Sequence, residues 1–318
     1  MPLTLDDLYR SPDHYLHSFD GDKAIFVPMD RAAYHRSIFL DARISPAPGQ
    51  AVAIPVSLLA QGVRPPQPTS WIFHMAHVGS TLLARALDDP GASLVLREPL
   101  ALRQLALQPD ETRLAIVAAM IGKRYRPDAP TLVKANVPVN FLLPNLAEME
   151  PDARAILLYL PLRDYLLAIL RNDSHRDWLR KVTRFLSLYL GDLTGLSDAE
   201  RGAALWLAQV DAFSAALAAM PNARALNAEL FFAGPERVLN AAAAHLGVPI
   251  AAAAIASTVS GPLFASHAKN PALAFDNQQR IARRDELERL LTAELDLADA
   301  WVAQRAEVPE APLSAAAL

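Results

Sequence analysis

From Trp71 onward the chain alternates short apolar runs with amphipathic stretches. Trp71–Met75 reads as a strand and Ser80–Asp89 as a helix with Leu82, Leu83, Ala86 and Leu87 on one face. Ser93–Arg97 is a second strand, followed by a helix through Pro99–Leu107. Residues 111–122 are helical, Thr131–Ala135 is a third strand and Val139–Met149 a helix. Ala153–Leu160 is an apolar run of the kind buried in a parallel sheet. This order predicts an α/β fold, a three-layer domain over 71–300 with a parallel sheet flanked by helices.

The flanks read differently. After Arg163 the pattern is mostly helical, with a capping box at Ser197–Glu200 and a face of Leu205, Ala212, Phe213 and Leu217. Ala223–Glu229 offers a last strand, and Leu287, Leu290, Leu291 and Leu295 a final helical stripe. The low-complexity end, 305–318, reads as a flexible tail. Before the sheet, Lys23–Met29 and Ser37–Asp41 look like short strands separated by polar Asp30–Arg36. A proline-rich break at Gly62–Ser70 sets residues 1–65 apart as an appendage or lid.

Composition narrows the function. The 318 residues are 52% hydrophobic and carry a net charge of -4, so no global basic field recruits nucleic acid and any anion site is local. The absence of cysteine excludes disulfides, thiol catalysis and thiolate metal sites. The N-terminus lacks the features of a signal peptide, and no uncharged apolar run reaches the roughly 18–20 residues of a membrane span. A cytoplasmic chain is expected.

The stretch His77-Val-Gly-Ser-Thr81 lies where a strand ends and a helix opens. Free N–H groups and about half a positive dipole charge suit such a turn to an anion. Gly79 allows close approach, and Ser80 and Thr81 add hydroxyls; the plainer alternative is an ordinary helix cap. The nucleotide-hydrolase form needs a Lys after its last Gly, where this chain has Ser80. Glu98 can serve as a magnesium ligand, which keeps a kinase-like phosphotransferase as the alternative.

His77–Leu83 resembles the 5′-phosphosulfate loop of the sulfotransferases, and Lys134–Leu170 is similar to that family's Lys-x-His-x-Pro segment, buried strand and Arg-Asp helix start. The resemblance covers residues 71–170, with a weaker echo in Phe264–Phe275. It implies a P-loop fold using 3′-phosphoadenosine 5′-phosphosulfate, with no metal, and a small-molecule or carbohydrate acceptor. It assigns His77, Val78, Gly79, Ser80 and Thr81 to the donor loop, Lys134 to a cation on the transition state and Glu98 to the base. His77, if protonated, assists the leaving phosphate.

The chain departs from the family pattern at four places. His77 replaces a Lys or Arg, and Asn136 stands where one branch has its catalytic His. Leu160 and Ala168 occupy the usual 3′-phosphate positions, so Arg163, Arg171 or Ser174 must substitute, or the chain is a binding protein that lost the donor site.

Three smaller features remain. His74 and His77 lack a third ligand nearby, so no metal site is expected. The charged stretch Arg171–Lys181 reads as a solvated face or a rim for an anionic acceptor. The loop at His267 and Lys269 reads as a cover for the donor nucleotide or as plain surface.

Overall fold

The structure is a computed structural model that describes residues 3–318. Near the N-terminus, β1 (His14–Asp20), β2 (Lys23–Pro28) and β3 (Val52–Pro55) form an antiparallel sheet in that order. Of the two strands expected here, β2 is present. The other, Ser37–Asp41, is irregular. The Tyr34, His35, Ser37 and Ile38 carbonyls all accept from the Arg97 guanidinium at 2.6–3.3 Å and so serve no ladder. The polar stretch between them is a helix, Arg31–Arg36, capped by Asp30.

The main sheet is parallel, built from β4 (Thr69–His74), β5 (Val95–Arg97), β6 (Thr131–Lys134), β7 (Arg154–Tyr159) and β8 (Ala223–Asn227). Its order is β5-β6-β4-β7-β8. Every residue of β4 is buried, as expected of a strand covered on both faces. After β4 the chain builds one half of the sheet and then crosses to β7 and β8. The carboxyl end of β4 is therefore a topological switch point, where open α/β sheets bind ligands.

Two domain expectations need correction. Within the expected 1–65 appendage, described residues 3–65 are not set apart, because Leu8, Tyr15, Phe26 and Tyr34 belong to the same continuous core as Ile72 and Leu157. The Leu40 N–H donates to the Arg97 carbonyl at 2.7 Å, which ties this region to the end of β5. The tail is docked: Leu313 is fully buried, and Ala225 of β8 bonds Ala316 and Leu318 at 2.9 Å each. The open edge of β8 offers backbone groups that an exposed strand leaves unpaired, and the tail takes them.

The capping box at Ser197 and Glu200 is present and opens helix Asp198–Ala219. That helix is long and apolar enough to cross a membrane by length and composition, although Asp198, Glu200, Arg201 and Asp211 keep it from being an uncharged apolar run. Half of it is buried within the protein, where Gly202 packs against Leu166 and Trp206 Nε1 donates to the Leu160 carbonyl at 2.9 Å. The final stripe is split into helices Asn277–Leu290 and Thr292–Ala303; Leu287 and Leu295 are buried, and Leu290 is exposed. Between these elements and the sheet, β9 (Ser266–His267) and β10 (Asn270–Ala274) form a hairpin.

Candidate active site

A cavity of about 910 Å³ opens at the carboxyl ends of β4, β5 and β6. That is room for a nucleotide beside a small second substrate. Eight basic side chains against five carboxylates line it, a local positive site in a chain of net charge -4. The turn from His77 to Thr81 lies in its wall, as does Glu98.

The turn is built for close approach. Gly79 has φ +78°, and a Cβ there would lie 2.7 Å from Phe232 Cζ, so both conformation and space demand glycine. Helix Ser80–Ala86 starts directly after it. The Thr81 hydroxyl is buried and has no hydrogen-bond partner among the described residues. An orphaned buried hydroxyl costs roughly 1–3 kcal/mol unless a ligand answers it.

Among the described residues, two non-glycine residues adopt positive φ: His77 at +61° and Glu98 at +57°. Each such conformation costs roughly 1–2 kcal/mol. Both side chains face this cavity. Strained backbone held at one site is the pattern of functional preorganisation.

Glu98 follows β5, and its N–H donates to the Lys134 carbonyl at 2.7 Å. Its carboxylate accepts from the Lys134 ammonium, with Arg43 Nη2 3.8 Å from the other oxygen. Lys134 is 1% exposed and is absent from the cavity wall. Burial pushes its pKa down against the pull of Glu98. An ammonium that does reach the cavity is Lys269, from the turn between β9 and β10, which has no hydrogen bond or ion pair among the described residues. Burial lowers the Lys269 pKa, and the Glu98 charge works against that shift.

His77 stacks on His175 with ring centroids 4.0 Å apart, and Trp178 meets it edge-on at 5.6 Å. Burial, and then the charges of Lys269, His175 and Arg171, push its pKa down to about 2. Burial thus favours the neutral ring over the protonated form expected for His77. His74 serves a different purpose, its ring lying between the Met75 and Ala135 carbonyls at 2.6 and 2.8 Å.

The remaining expected residues divide. Val78, Gly79, Ser80, Thr81, Asn136, Leu160, Ala168 and Arg171 line the cavity; Arg163 and Ser174 do not. Arg163 is held by Asp296 and Asp299 on the outer surface, at 2.6–2.7 Å. Arg171 stays at the cavity beside Leu160 and Ala168, its pKa lowered by burial and then by the neighbouring Arg283. Helix Asp173–Phe185, a solvated face on one reading, presents Trp178 and Lys181 to the cavity.

Sequence reasoning missed Phe39, Asp41, Arg43 and Arg103, which also line the cavity. The first three come from the irregular stretch organised by Arg97. Arg43 lies 3.8 Å above the Phe39 ring and forks onto Asp41.

No family model matches the chain, and no curated protein matches it. Two solved structures are similar. A sulfotransferase from Alicyclobacillus acidocaldarius shares 17% identity, over 78% of this chain and 96% of its own, with a TM-score of 0.43. The sulfotransferase domain from the curacin biosynthetic pathway shares 11% identity, over 71% of this chain and 98% of its own, also at 0.43. Both of these neighbours are sulfotransferases.

Proposed function

We propose that the chain transfers a sulfuryl group from 3′-phosphoadenosine 5′-phosphosulfate to a hydroxyl or amine of a small-molecule or carbohydrate acceptor. The observation that carries this reading is the convergence of His77 and Glu98, both in strained conformations, on one cation-rich cavity. The unanswered Thr81 hydroxyl and the glycine-only turn favour an anion at the start of helix Ser80–Ala86.

In this mechanism the backbone N–H groups of the 78–81 turn and the Thr81 hydroxyl hold the 5′-phosphosulfate. Lys269 is the cation on the transferring group, since Lys134 is occupied with Glu98. Glu98 takes the acceptor's proton, the acceptor oxygen or nitrogen bonds to sulfur, and the sulfur–oxygen bond to the phosphate breaks. Adenosine 3′,5′-bisphosphate leaves. Electrostatic preorganisation of this kind is the main resource for a transition state that spreads charge over oxygens. Neutral His77 can donate an N–H to the departing phosphate without carrying charge.

Arg171, with Arg283 near it, takes the 3′-phosphate in place of the residues lost at Leu160 and Ala168. Two guanidiniums placed together repel until an anion lies between them. Phe232 and Phe275, ring centroids 6.2 Å apart and both in the cavity wall, offer faces for the adenine.

The test is release of adenosine 3′,5′-bisphosphate from the donor on adding a mixture of hydroxyl and amine acceptors. Acceptor-dependent release that falls about 100-fold or more in Glu98→Gln is expected for loss of a proton acceptor. Release indifferent to Glu98, or none at all, would remove this reading.

A further inference from the structure

The sulfuryl-transfer reading leaves the acceptor open, and the cavity wall beyond Glu98 narrows it. That wall comes from Phe39–Arg43, helix Leu100–Leu107 and the stretch Asn136–Pro138. Phe39, Leu107, Val137 and Pro138 give it apolar surface.

Its charges are paired with one exception. Asp41 accepts from Arg43 Nε at 2.9 Å, Arg43 Nη2 at 2.6 Å and the Arg43 N–H at 3.0 Å. Glu98 is occupied by Lys134 and flanked by Arg43. Arg103 is near enough to Asp41 to help lower its pKa, yet its guanidinium has no hydrogen bond or ion pair among the described residues. Lys181, on helix Asp173–Phe185, also faces the cavity and has no partner among the described residues. A neutral acceptor would leave a half-buried guanidinium with five N–H donors unanswered. A carboxylate would meet it with two parallel charge-assisted bonds.

We propose that the acceptor is a small hydroxy acid whose hydroxyl meets Glu98 and whose carboxylate is held by Arg103. Arg103 lies one turn into the helix that starts just after Glu98, so the two groups of the acceptor are separated by on the order of 5–10 Å. An aromatic ring with a short acidic arm has that span, and its body suits Phe39, Leu107, Val137 and Pro138.

The experiment uses the full chain saturated with adenosine 3′,5′-bisphosphate. Into it, 4-hydroxyphenylacetate and its methyl ester are titrated by calorimetry, for the wild type, Arg103→Gln and Arg103→Lys. The acid should bind at least about tenfold more tightly than the ester, a difference of about 1.4 kcal/mol. Arg103→Gln should bring the two within about twofold, with Arg103→Lys between, since an ammonium keeps charge but not the fork. Equal binding of acid and ester, binding of neither, or a preference unchanged in Arg103→Gln would overturn the proposal. Should the bisphosphate itself fail to bind, the donor reading falls. The same pair titrated into the unloaded protein then still decides the role of Arg103.

Discussion

The Glu98 carboxylate accepts from the Lys134 ammonium; Glu98 directly follows β5 and Lys134 ends the neighbouring parallel strand β6. Lys134 is fully buried, while Glu98 reaches the cavity at one face. The pair therefore couples the sheet interior to the reacting surface. Lys134→Met leaves Glu98 with Arg43 alone, and removing one member of a buried pair costs about 3–5 kcal/mol. We expect a loss near the lower figure in urea unfolding, because Glu98 keeps solvent contact. The same variant should lower kcat more than it raises donor KM. A KM effect alone would mean that Lys134 holds the donor instead.

Gly79→Ala tests the turn. The left-handed conformation costs a side chain roughly 1–2 kcal/mol, and the new Cβ would displace the Phe232 ring from 2.7 Å. Bisphosphate binding should be lost. Adding Phe232→Ala should relieve the overlap and recover part of the stability, leaving the conformational cost. Wild-type affinity in the single variant would show that the turn is only a helix start.

The sheet and its first turn were legible because hydrophobic periodicity changes sharply between Phe73 and Leu82. The site was legible as far as local motifs reach: Gly79, Thr81 and Glu98 stand beside recognisable strand ends. What sequence could not carry was long-range. The stretch holding Phe39 and Arg43 has no periodicity of its own, because its backbone answers Arg97 about 60 residues away. His175 reaches His77 across nearly a hundred residues, from a helix whose composition reads as solvated. The positive φ of Glu98 has no compositional signal, as glutamate is not among the residues enriched in that conformation. Lys134 reads as a strand-end cation, and only packing reveals that it is buried under Glu98.

Arg97 organises the acceptor wall. Its guanidinium is 1% exposed and bonds Asp88 at 2.5 Å together with four backbone carbonyls. Arg97→Met leaves those carbonyls unanswered and Asp88 with only Arg31 at 3.6 Å and His35 at 3.2 Å, at a cost of about 3 kcal/mol. Where the variant folds, acceptor KM should rise more than donor KM, since residues 37–43 lose their anchor. Equal change in both would assign Arg97 a purely structural role.

Acid should destabilise the protein before its carboxylates titrate. The His77 pKa is pushed from 6.5 in the unfolded chain to about 2, and burial also drives His74 well down. Between those limits the unfolded chain binds the extra protons. The stabilisation is thus present above pH 6.5 and is lost as pH falls toward 2. Each ring adds a slope of up to about 1.4 kcal/mol per pH unit. His77→Gln should flatten urea-derived stability by that amount between about pH 5.5 and 4.5. An unchanged slope would place His77 in water, not in the stack with His175.

The central claim is that this cavity holds a nucleotide carrying both a 5′- and a 3′-phosphate. Calorimetric titration with adenosine 3′,5′-bisphosphate in metal-free buffer, with 5′-AMP and ATP–magnesium in parallel, tests it directly. The bisphosphate should bind at least about tenfold more tightly than 5′-AMP, a difference of about 1.4 kcal/mol, and Arg171→Ala should abolish that advantage. Preference for ATP–magnesium, or binding of none of the three, would contradict the account.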